Sequence, residues 1–215
     1  TWDIPRRMDS YSSSIMIDTM EGLVRLCQTG EGEDAEYEMR PGEAESWESN
    51  EDGTVWTFHL RDGLKWQDGE PVTADQYVYS LQRDPDTGCP NSFFLEPLLN
   101  YPAIAAGEMD VSELGVKAID EKTLEITLSA PKPTFIEMLP ATVYYPQRQD
   151  VIEKYGDQFG SEAEAYIGNG PFKVDSWTHN NSIVLSKNEN YWDADNVKLD
   201  KIEITITSDA NTLQG

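Results

Sequence analysis

The side chains that commonly catalyse reactions or bind metals are few and scattered in this sequence. His59 and His179 have no other metal-ligating residue at the spacing of a ligand set. Cys27 and Cys89 are far apart and have no histidine nearby. These cysteines are two free thiols or one disulfide, and we favour free thiols. No metal site is predicted.

Motifs of the common enzyme classes are also missing. The sequence has no G-x-S-x-G nucleophile turn, no phosphate-binding glycine loop and no H-E-x-x-H helix. Carboxylates are too numerous for any pair to be singled out as catalytic, since Asp and Glu total 40. The sequence therefore predicts a protein that is not an enzyme and needs no cofactor.

The overall charge restricts the partners of the protein. Lys and Arg total 16, which gives a net charge of −24 at pH 7. Such a charge disfavours nucleic acid and anionic membrane surfaces, because both bind through clustered cations. We interpret it as favouring solubility. No segment approaches the roughly 20 apolar residues of a membrane span.

The stretch 54–83 contains the clearest local signals. Trp56, Phe58 and Leu60 alternate with polar residues, which indicates a strand with one buried face. Two Asp-Gly turn dipeptides follow. Thr73 and Gln76 then stand at the spacing of a capping box, which predicts the start of a helix.

Further elements follow from the same patterns. A helix is predicted over 11–20, and alternating strands over 123–128 and 202–206. The segment 84–90 contains two prolines and a glycine and is interpreted as a loop. The mixture of strands and helices predicts the α/β fold class.

Several long motifs resemble a known family. They are F-H-L-R-x-x-x-K-W-x-D-G-x-P-V-T-A-D-x-x-V-Y-S at 58–80, G-V-K-A-x-D-x-x-T-L-E-x-T-L at 115–128, and K-N-x-x-Y-W-D at 187–193. Asp3 and the later Glu21-Gly22-Leu23 fit a further family landmark. Together they resemble family 5 of the extracytoplasmic solute-binding proteins, and in particular the oligopeptide-binding proteins of ABC transporters.

The resemblance implies a specific domain organisation. The expected fold is of the type II periplasmic-binding-protein kind, with mixed α+β sheets. Residues 1–40 and 146–215 would form a discontinuous first-lobe domain, and 41–145 an inserted domain. A second lobe, absent from this sequence, would follow, so the chain resembles the N-terminal half of such a protein.

The function implied by the resemblance is capture of extended oligopeptides for an ABC importer. The expected partners are an oligopeptide and the permease subunits, with a lipid anchor attached ahead of Thr1. The expected location is extracytoplasmic, in the periplasm or on the outer face of the cell membrane. Pairing to the main chain of the ligand would accept varied side chains, and the opposing lobe would be needed for tight binding.

The resemblance also places residues at the ligand. Met8, Asp9 and Ser10 fall in the segment that lines the cleft, and Phe94 matches a cleft aromatic. Phe94 is equally compatible with core packing. Trp56 and Trp66 are interpreted as core residues.

A glycine motif and a tyrosine pair complete the expected site. Asn169 and Gly170 match an N-G element that approaches the ligand, and they are equally compatible with a tight turn into the following strand. Tyr144 and Tyr145 precede a proline near the cleft.

Two other functions compete with peptide import. One is a nickel- or haem-binding member of the same superfamily, against which the two histidines argue. The other is a receptor that passes peptides to a sensor. Calorimetric titration with peptides and with nickel distinguishes the first, and growth on peptides as sole amino-acid source after gene deletion distinguishes the second.

Overall fold

The computed structural model describes residues 1–6, 10–30, 32, 35–87 and 91–206. In these ranges the helices are α1 (Ser10–Thr19), α2 (Ala74–Thr87), α3 (Tyr101–Ala105), α4 (Phe135–Met138) and α5 (Gln149–Tyr155). The strands are β1 (Val24–Thr29), β2 (Glu36–Pro41), β3 (Ala44–Ser49), β4 (Val55–Leu60), β5 (Val116–Asp120), β6 (Thr123–Thr127), β7 (Phe172–Thr178), β8 (Ser182–Lys187) and β9 (Lys201–Thr205). None of these helices has the length and apolar character that crossing a bilayer requires.

The strands form three antiparallel sheets. β1 and β2 make a hairpin, β3-β4-β6-β5 make a four-stranded sheet, and β7-β8-β9 make a three-stranded sheet. Phe58 on β4 lies opposite Leu124 on β6, and both side chains are fully buried. Buried residues alternate with less buried ones at 58–60 in β4 and throughout β6, whereas Trp56, on the predicted buried face, is only partly buried.

Half of the predicted capping box forms before α2, since the Gln76 side chain bonds the Thr73 N–H while the Gln76 N–H donates to the Thr73 backbone carbonyl. The Gln76 side-chain oxygen accepts hydrogen bonds from the Thr73 backbone N–H at 3.1 Å and from the Trp66 indole N–H at 2.9 Å. Trp66 is fully buried, which confirms that it belongs to the core. Trp56 is partly buried and packs against Phe135, with ring centroids 5.8 Å apart.

The prediction of a loop over 84–90 is wrong for 84–87, because α2 continues to Thr87 with Pro85 inside it, and 88–90 lie outside the described residues. A proline at this position lacks the N–H that would donate to the Leu81 carbonyl, and its ring crowds that carbonyl. α2 packs against β5 and β6, and Leu81, one turn earlier, is buried. Tertiary packing thus outweighs the local preference for a turn.

The sheets occupy separate stretches of the chain and are joined by polar contacts. The four-stranded sheet lies within 41–145 and the three-stranded sheet within 146–215. Between these stretches the Gln67 N–H donates to the Gly168 carbonyl at 2.9 Å, and the Asn190 side-chain amide donates to the Gln67 carbonyl at 3.0 Å. The division into a first-lobe domain and an inserted domain stays a prediction.

Candidate ligand-binding site

A cavity of about 630 Å³ lies beside the β1–β2 hairpin, and we call it the hairpin cavity. The end of α1, the first residues of β1 and the segment 137–141 line it. Four consecutive β1 residues, 24–27, face it. Because successive side chains of a strand point to opposite faces, a cavity that contacts four in a row meets the edge of the strand.

The tertiary structure brings two of the predicted site residues together at this cavity. Phe94 and Tyr145 both line it. A Cβ atom on Gly22 would lie only 2.7 Å from the Tyr145 ring, so the ring needs a glycine at that position to pack there. Burial raises the pKa of the Tyr145 phenol, which keeps it neutral.

Tyr144 lies behind the wall of the cavity. Its side chain is fully buried and packs edge-on against Phe135. Its hydroxyl donates to the Phe94 carbonyl at 2.5 Å. Tyr144 therefore positions the backbone of Phe94, and its predicted contact with a ligand stays a prediction.

Asn169 is buried and fully hydrogen-bonded within the protein. Its side-chain oxygen accepts from the Glu21 N–H at 3.1 Å, and its amide donates to the Glu21 carbonyl at 2.9 Å and to the Glu43 carboxyl at 2.8 Å. The side chain thus holds the backbone of Glu21, a residue that lines the hairpin cavity. Whether it also contacts a peptide stays a prediction.

Gly168 and Gly170 allow their segment to approach the C-terminal end of α1 closely. The Gly170 N–H donates to the Thr19 carbonyl at 2.9 Å, which satisfies a helix-end acceptor. A Cβ on Gly168 would lie 2.0 Å from the Thr19 oxygen, and one on Gly170 would lie 2.5 Å from the Met20 nitrogen. The neighbouring Pro171 lines the hairpin cavity, so the N-G-P-F motif reaches its wall.

A buried acidic cluster beside the cavity was not predicted from the sequence. Glu43 is 1% exposed and accepts from the Tyr77 hydroxyl at 2.6 Å as well as from Asn169. Desolvation by burial raises the pKa of the Glu43 carboxyl to about 8, although hydrogen bonds from Tyr77 and Asn169 oppose the shift. A carboxyl group with this pKa is mostly protonated at neutral pH.

Glu21 extends this cluster to the cavity wall. Its carboxylate accepts from the Tyr191 hydroxyl at 3.0 Å and from the Trp192 indole N–H, and it lies 3.5 Å from Arg25. Burial raises its pKa, against the opposing effects of Trp192 and Arg25. Glu21 and Tyr191 lie in motifs that support the family resemblance. Their place in these motifs was the sequence feature that could have marked them as site residues. Nothing local predicted the contact.

Comparison with known proteins identifies the family. The sequence profile of the bacterial extracellular solute-binding proteins, family 5 (middle region), matches residues 38–214. The chain belongs to this family. The family resemblance and the mixed α/β fold class predicted from the sequence are both confirmed.

Individual relatives show how much of a family 5 protein this chain represents. It is 36% identical to the dipeptide-binding protein DppE of Bacillus subtilis, over 99% of this chain and 38% of the relative. It is 39% identical to the probable deoxycholate-binding periplasmic protein YgiS of Escherichia coli, over 94% of this chain and 37% of that protein. The crystal structure of the substrate-binding domain of an oligopeptide ABC transporter from Bacillus anthracis superimposes with a TM-score of 0.92 at 38% identity, covering 99% of this chain and 40% of that one. The chain thus spans about two fifths of the length of these proteins.

The N-terminal part of the predicted site is only partly described. Met8 and Asp9 lie outside the described residues of this family 5 chain, and Ser10 begins α1. Since α1 has 10 residues, its two ends are separated by about 14 Å along its axis. Ser10 is therefore at one end of the helix and the Gly170 contact at the other. Lining of a ligand cleft by Met8–Ser10 stays a prediction.

The histidines and the cysteines form no metal cluster in the described ranges. His59 contacts Glu48 at 3.0 Å and His179 contacts Glu162 at 3.2 Å, both in exposed positions. Cys27 forms no disulfide with any described residue, and it lines the hairpin cavity. Cys89 lies outside the described residues, so the pairing of the two cysteines stays untested.

Proposed function

We propose that this chain contributes the peptide-binding wall of an ABC-importer substrate-binding protein and captures extended oligopeptides outside the cytoplasm. The family and the names of its relatives support peptides as the ligand class. The observation that carries the proposal is the edge of β1. β1 pairs only with β2 in the described sheets, and the hairpin cavity contacts four of its residues in a row.

An unpaired strand edge suits a peptide of any sequence. The peptide carries N–H and C=O groups along its length, and burying them without partners is costly. The outward-facing N–H and C=O groups of β1 supply those partners without reading side chains. Phe94 and Tyr145 then contact the ligand's side chains from across the cavity.

N-methylated peptides test this binding mode. We expect an alanine-rich hexapeptide to shift the β1 amide resonances in a two-dimensional NMR titration of the 215-residue chain. The analogue with alternate amides methylated cannot donate those hydrogen bonds, and it should bind about five-fold or more weakly. The matched control is the analogue methylated at the remaining amides, whose N–H groups point away from β1 in this binding mode. Equal binding of all three would exclude pairing along β1.

Deoxycholate is a second ligand that a specific observation favours. YgiS, named as a probable deoxycholate-binding periplasmic protein, is 39% identical to this chain. Met20, Val24 and Leu26 give the hairpin cavity an apolar wall that suits a sterol. Titration with deoxycholate and with peptides in parallel distinguishes the two ligands, and binding of deoxycholate alone would overturn the peptide proposal.

The same experiment includes nickel. His59 and His179 do not line the hairpin cavity, so we expect no nickel-dependent shifts at its walls. Shifts there with nickel and none with peptide would favour the nickel-binding alternative.

The cellular setting is also part of the proposal. Delivery to permease subunits, a lipid anchor ahead of Thr1 and the absence of catalysis are expected of such a component. Incubated peptides should be recovered uncleaved. Deleting the gene should abolish growth on peptides as sole amino-acid source, whereas normal growth would favour a peptide-sensing receptor.

A further inference from the structure

The edge strands of the two larger sheets differ in how they are protected from pairing with another strand. β3, β5 and β7 are edge strands, and each has a register shift against its neighbour, at 44–46, 118–120 and 174–176 respectively. Such bulges bend an edge and disfavour a new partner. β9 is the fourth edge, and its pairing with β8 is regular over all 5 residues. In the described ranges, β9 is therefore the one edge of these two sheets that keeps a regular ladder.

The backbone of β9 presents hydrogen-bonding groups on its outer side. The Ile206 N–H donates to the Asn181 carbonyl, just before β8, at 2.7 Å. At the other end, the Asp200 carbonyl accepts from the last residue of β8 at 2.9 Å. Even-numbered residues of β9 therefore face β8, and because the direction alternates along an antiparallel strand, the odd-numbered residues of 201–205 face away. No strand among those described pairs with these outward groups.

An apolar cavity of about 600 Å³ lies along this edge, and we call it the edge cavity. Three consecutive residues, 204–206, line it, so the cavity meets the edge of β9 as well as one face. Most of its other walls are aromatic or aliphatic, and they include Trp2, Ile15, Trp177 and Ile183. The isoleucines of β9 stay partly exposed beside it. Apolar side chains on an added strand would fill this space and cover them.

The charge of this edge differs from that of the protein as a whole. The net charge of −24 keeps most surfaces of two copies apart. Residues 197–206 contain two lysines and two acidic residues, so their formal charges cancel. Lys201 and Glu203 form an ion pair on the exposed face of β9. The β9 edges of two copies can therefore approach each other with little local repulsion.

We propose that β9 is a self-association edge, at which two copies of this chain pair in antiparallel orientation about a twofold axis. A twofold contact uses the same patch on both copies and closes after one pairing. In the register that we propose, Ile204 lies opposite the partner's Ile204. This register brings the isoleucines of both copies together at the edge cavity, and it sets Glu203 opposite the partner's Thr205.

The side chains of β9 disfavour the neighbouring registers. Sliding the partner by two residues would set Glu203 opposite the partner's Glu203, and like charges directly opposite each other destabilise a strand pair. Sliding it by four residues would set the partner's Asp200 opposite Ile204, at the apolar edge cavity. A carboxylate there would lose hydration without gaining a partner.

Sedimentation equilibrium of the 215-residue chain tests the association. Pairing through one short strand buries less surface than a standard interface of about 1,600 Å², so we expect a weak dimer with a dissociation constant on the order of 100 µM. A monomer at all concentrations up to about 1 mM would overturn the proposal, because ten times that dissociation constant would then give no dimer. Species that grow steadily beyond the dimer would also overturn it, since twofold pairing closes.

Substitutions of Thr205 test the register with opposite signs. Thr205→Lys sets a lysine opposite Glu203 twice in the dimer and should tighten dimerisation about five-fold, whereas Thr205→Glu should weaken it about five-fold. The same substitutions at Thr178, an exposed threonine of β7 on the far edge of the sheet, are the matched controls for net charge and should have little effect. Equal effects at both threonines would overturn the proposal. Exchanged signs at Thr205 would overturn the register, because they would place Thr205 opposite the partner's Lys201.

A second variant tests the outward hydrogen bonds directly. Glu203→Pro removes an N–H that faces away from β8, which an edge strand tolerates, and it should abolish dimerisation. Glu203→Thr keeps the N–H and should still dimerise. Unchanged dimerisation of the proline variant would overturn pairing along β9.

A small apolar molecule is the other occupant that the edge cavity could accept. Titration with indole, followed through the NMR resonances of 204–206, tests this alternative. Because the partner's isoleucines occupy the edge cavity in the dimer, indole should compete with dimerisation. Binding of indole to a chain that stays monomeric at high concentration would make the cavity a ligand site and overturn the proposal.

Discussion

The four-stranded sheet with α2 and the cluster around Glu43 are held together by different interactions. In the sheet, Phe58, Leu124 and Ile126 are fully buried apolar side chains on neighbouring strands. Around Glu43, by contrast, buried polar side chains hydrogen-bond one another across the chain. Asn169 joins Glu43 across 126 residues of sequence.

The difference shows what each region contributes. Apolar contacts in the sheet are non-directional and depend mainly on area, so they provide stability and tolerate some substitution. The Glu43 cluster has specific donors and acceptors, and it fixes the wall of the hairpin cavity through the backbone of Glu21. Its side chains are costly to bury, so each depends on its partners. Substitutions in the two regions should therefore have different effects.

The largest expected effect is in the sheet. Phe58→Ala should lower the free energy of unfolding by about 3–5 kcal/mol, because it leaves a cavity at a fully buried position. Urea unfolding measures the change. Lys117→Ala on the exposed face of β5 is the control and should change it by less than about 0.5 kcal/mol. A small loss for Phe58→Ala would show that the sheet is not a packed core.

A pH-dependent effect of similar size is expected at Glu43. Its carboxyl pKa is raised from 4.5 to about 8 in the folded protein, so the folded state binds this proton more tightly than the unfolded state. The resulting stabilisation is fully present below about pH 4.5 and is lost as the pH rises towards 8. In Glu43→Gln this loss should disappear.

Urea unfolding at intervals from pH 5 to pH 8 measures the difference. The original protein should lose roughly 3 kcal/mol more than Glu43→Gln over this range. Glu21, whose pKa is also raised by burial, contributes with the same sign in both proteins. Parallel pH profiles would show that Glu43 is ionised in the folded state.

Asn169→Ala should lower the free energy of unfolding by about 2–3 kcal/mol, because the Glu21 N–H and carbonyl lose their Asn169 partner and the Glu43 carboxyl keeps only the hydrogen bond from Tyr77. Amide exchange at Glu21 should accelerate as well. Asn196→Ala, at an exposed asparagine, is the matched control. A loss confined to peptide binding, with unchanged stability, would instead assign Asn169 to the ligand.

The smallest expected effect is at the start of α2. Gln76→Ala removes the acceptor used by Thr73 and Trp66 and should cost about 1 kcal/mol. Gln76→Glu keeps an acceptor in place and should recover most of the loss. Equal losses of stability in both variants would indicate that the hydrogen bond from the Gln76 amide to the Pro71 carbonyl contributes more than the two bonds that its oxygen accepts.

The sequence predicts the local elements well because their signals are local. The alternation at Phe58 and Leu60, the alternation at Leu124 and Ile126, and the Thr73–Gln76 cap all report interactions within a few residues. The loop interpretation at Asp84 was wrong because the packing of α2 against β5, which no local pattern reveals, outweighs the preference of Pro85.

The site was predictable only in part. The family motifs indicate that Phe94, Tyr145 and the N-G-P-F segment lie near a ligand, and the fold places Phe94, Tyr145 and Pro171 around one cavity. The same motifs could not show that Asn169 is buried and bonded to Glu43, or that Tyr144 lies behind Phe94. These roles depend on which side of each segment faces the rest of the chain.

By itself, then, the sequence determined the family, the mixed α/β class, the strands β4, β6 and β9 and the starts of α1 and α2, because periodicity and turn residues act over short distances. Only the tertiary structure decided which polar groups are buried together. Glu21, Glu43 and Asn169 come from three distant segments, and their burial creates both the raised pKa of Glu43 and the fixed wall of the hairpin cavity. Their hydrogen bonds exist only when those segments meet.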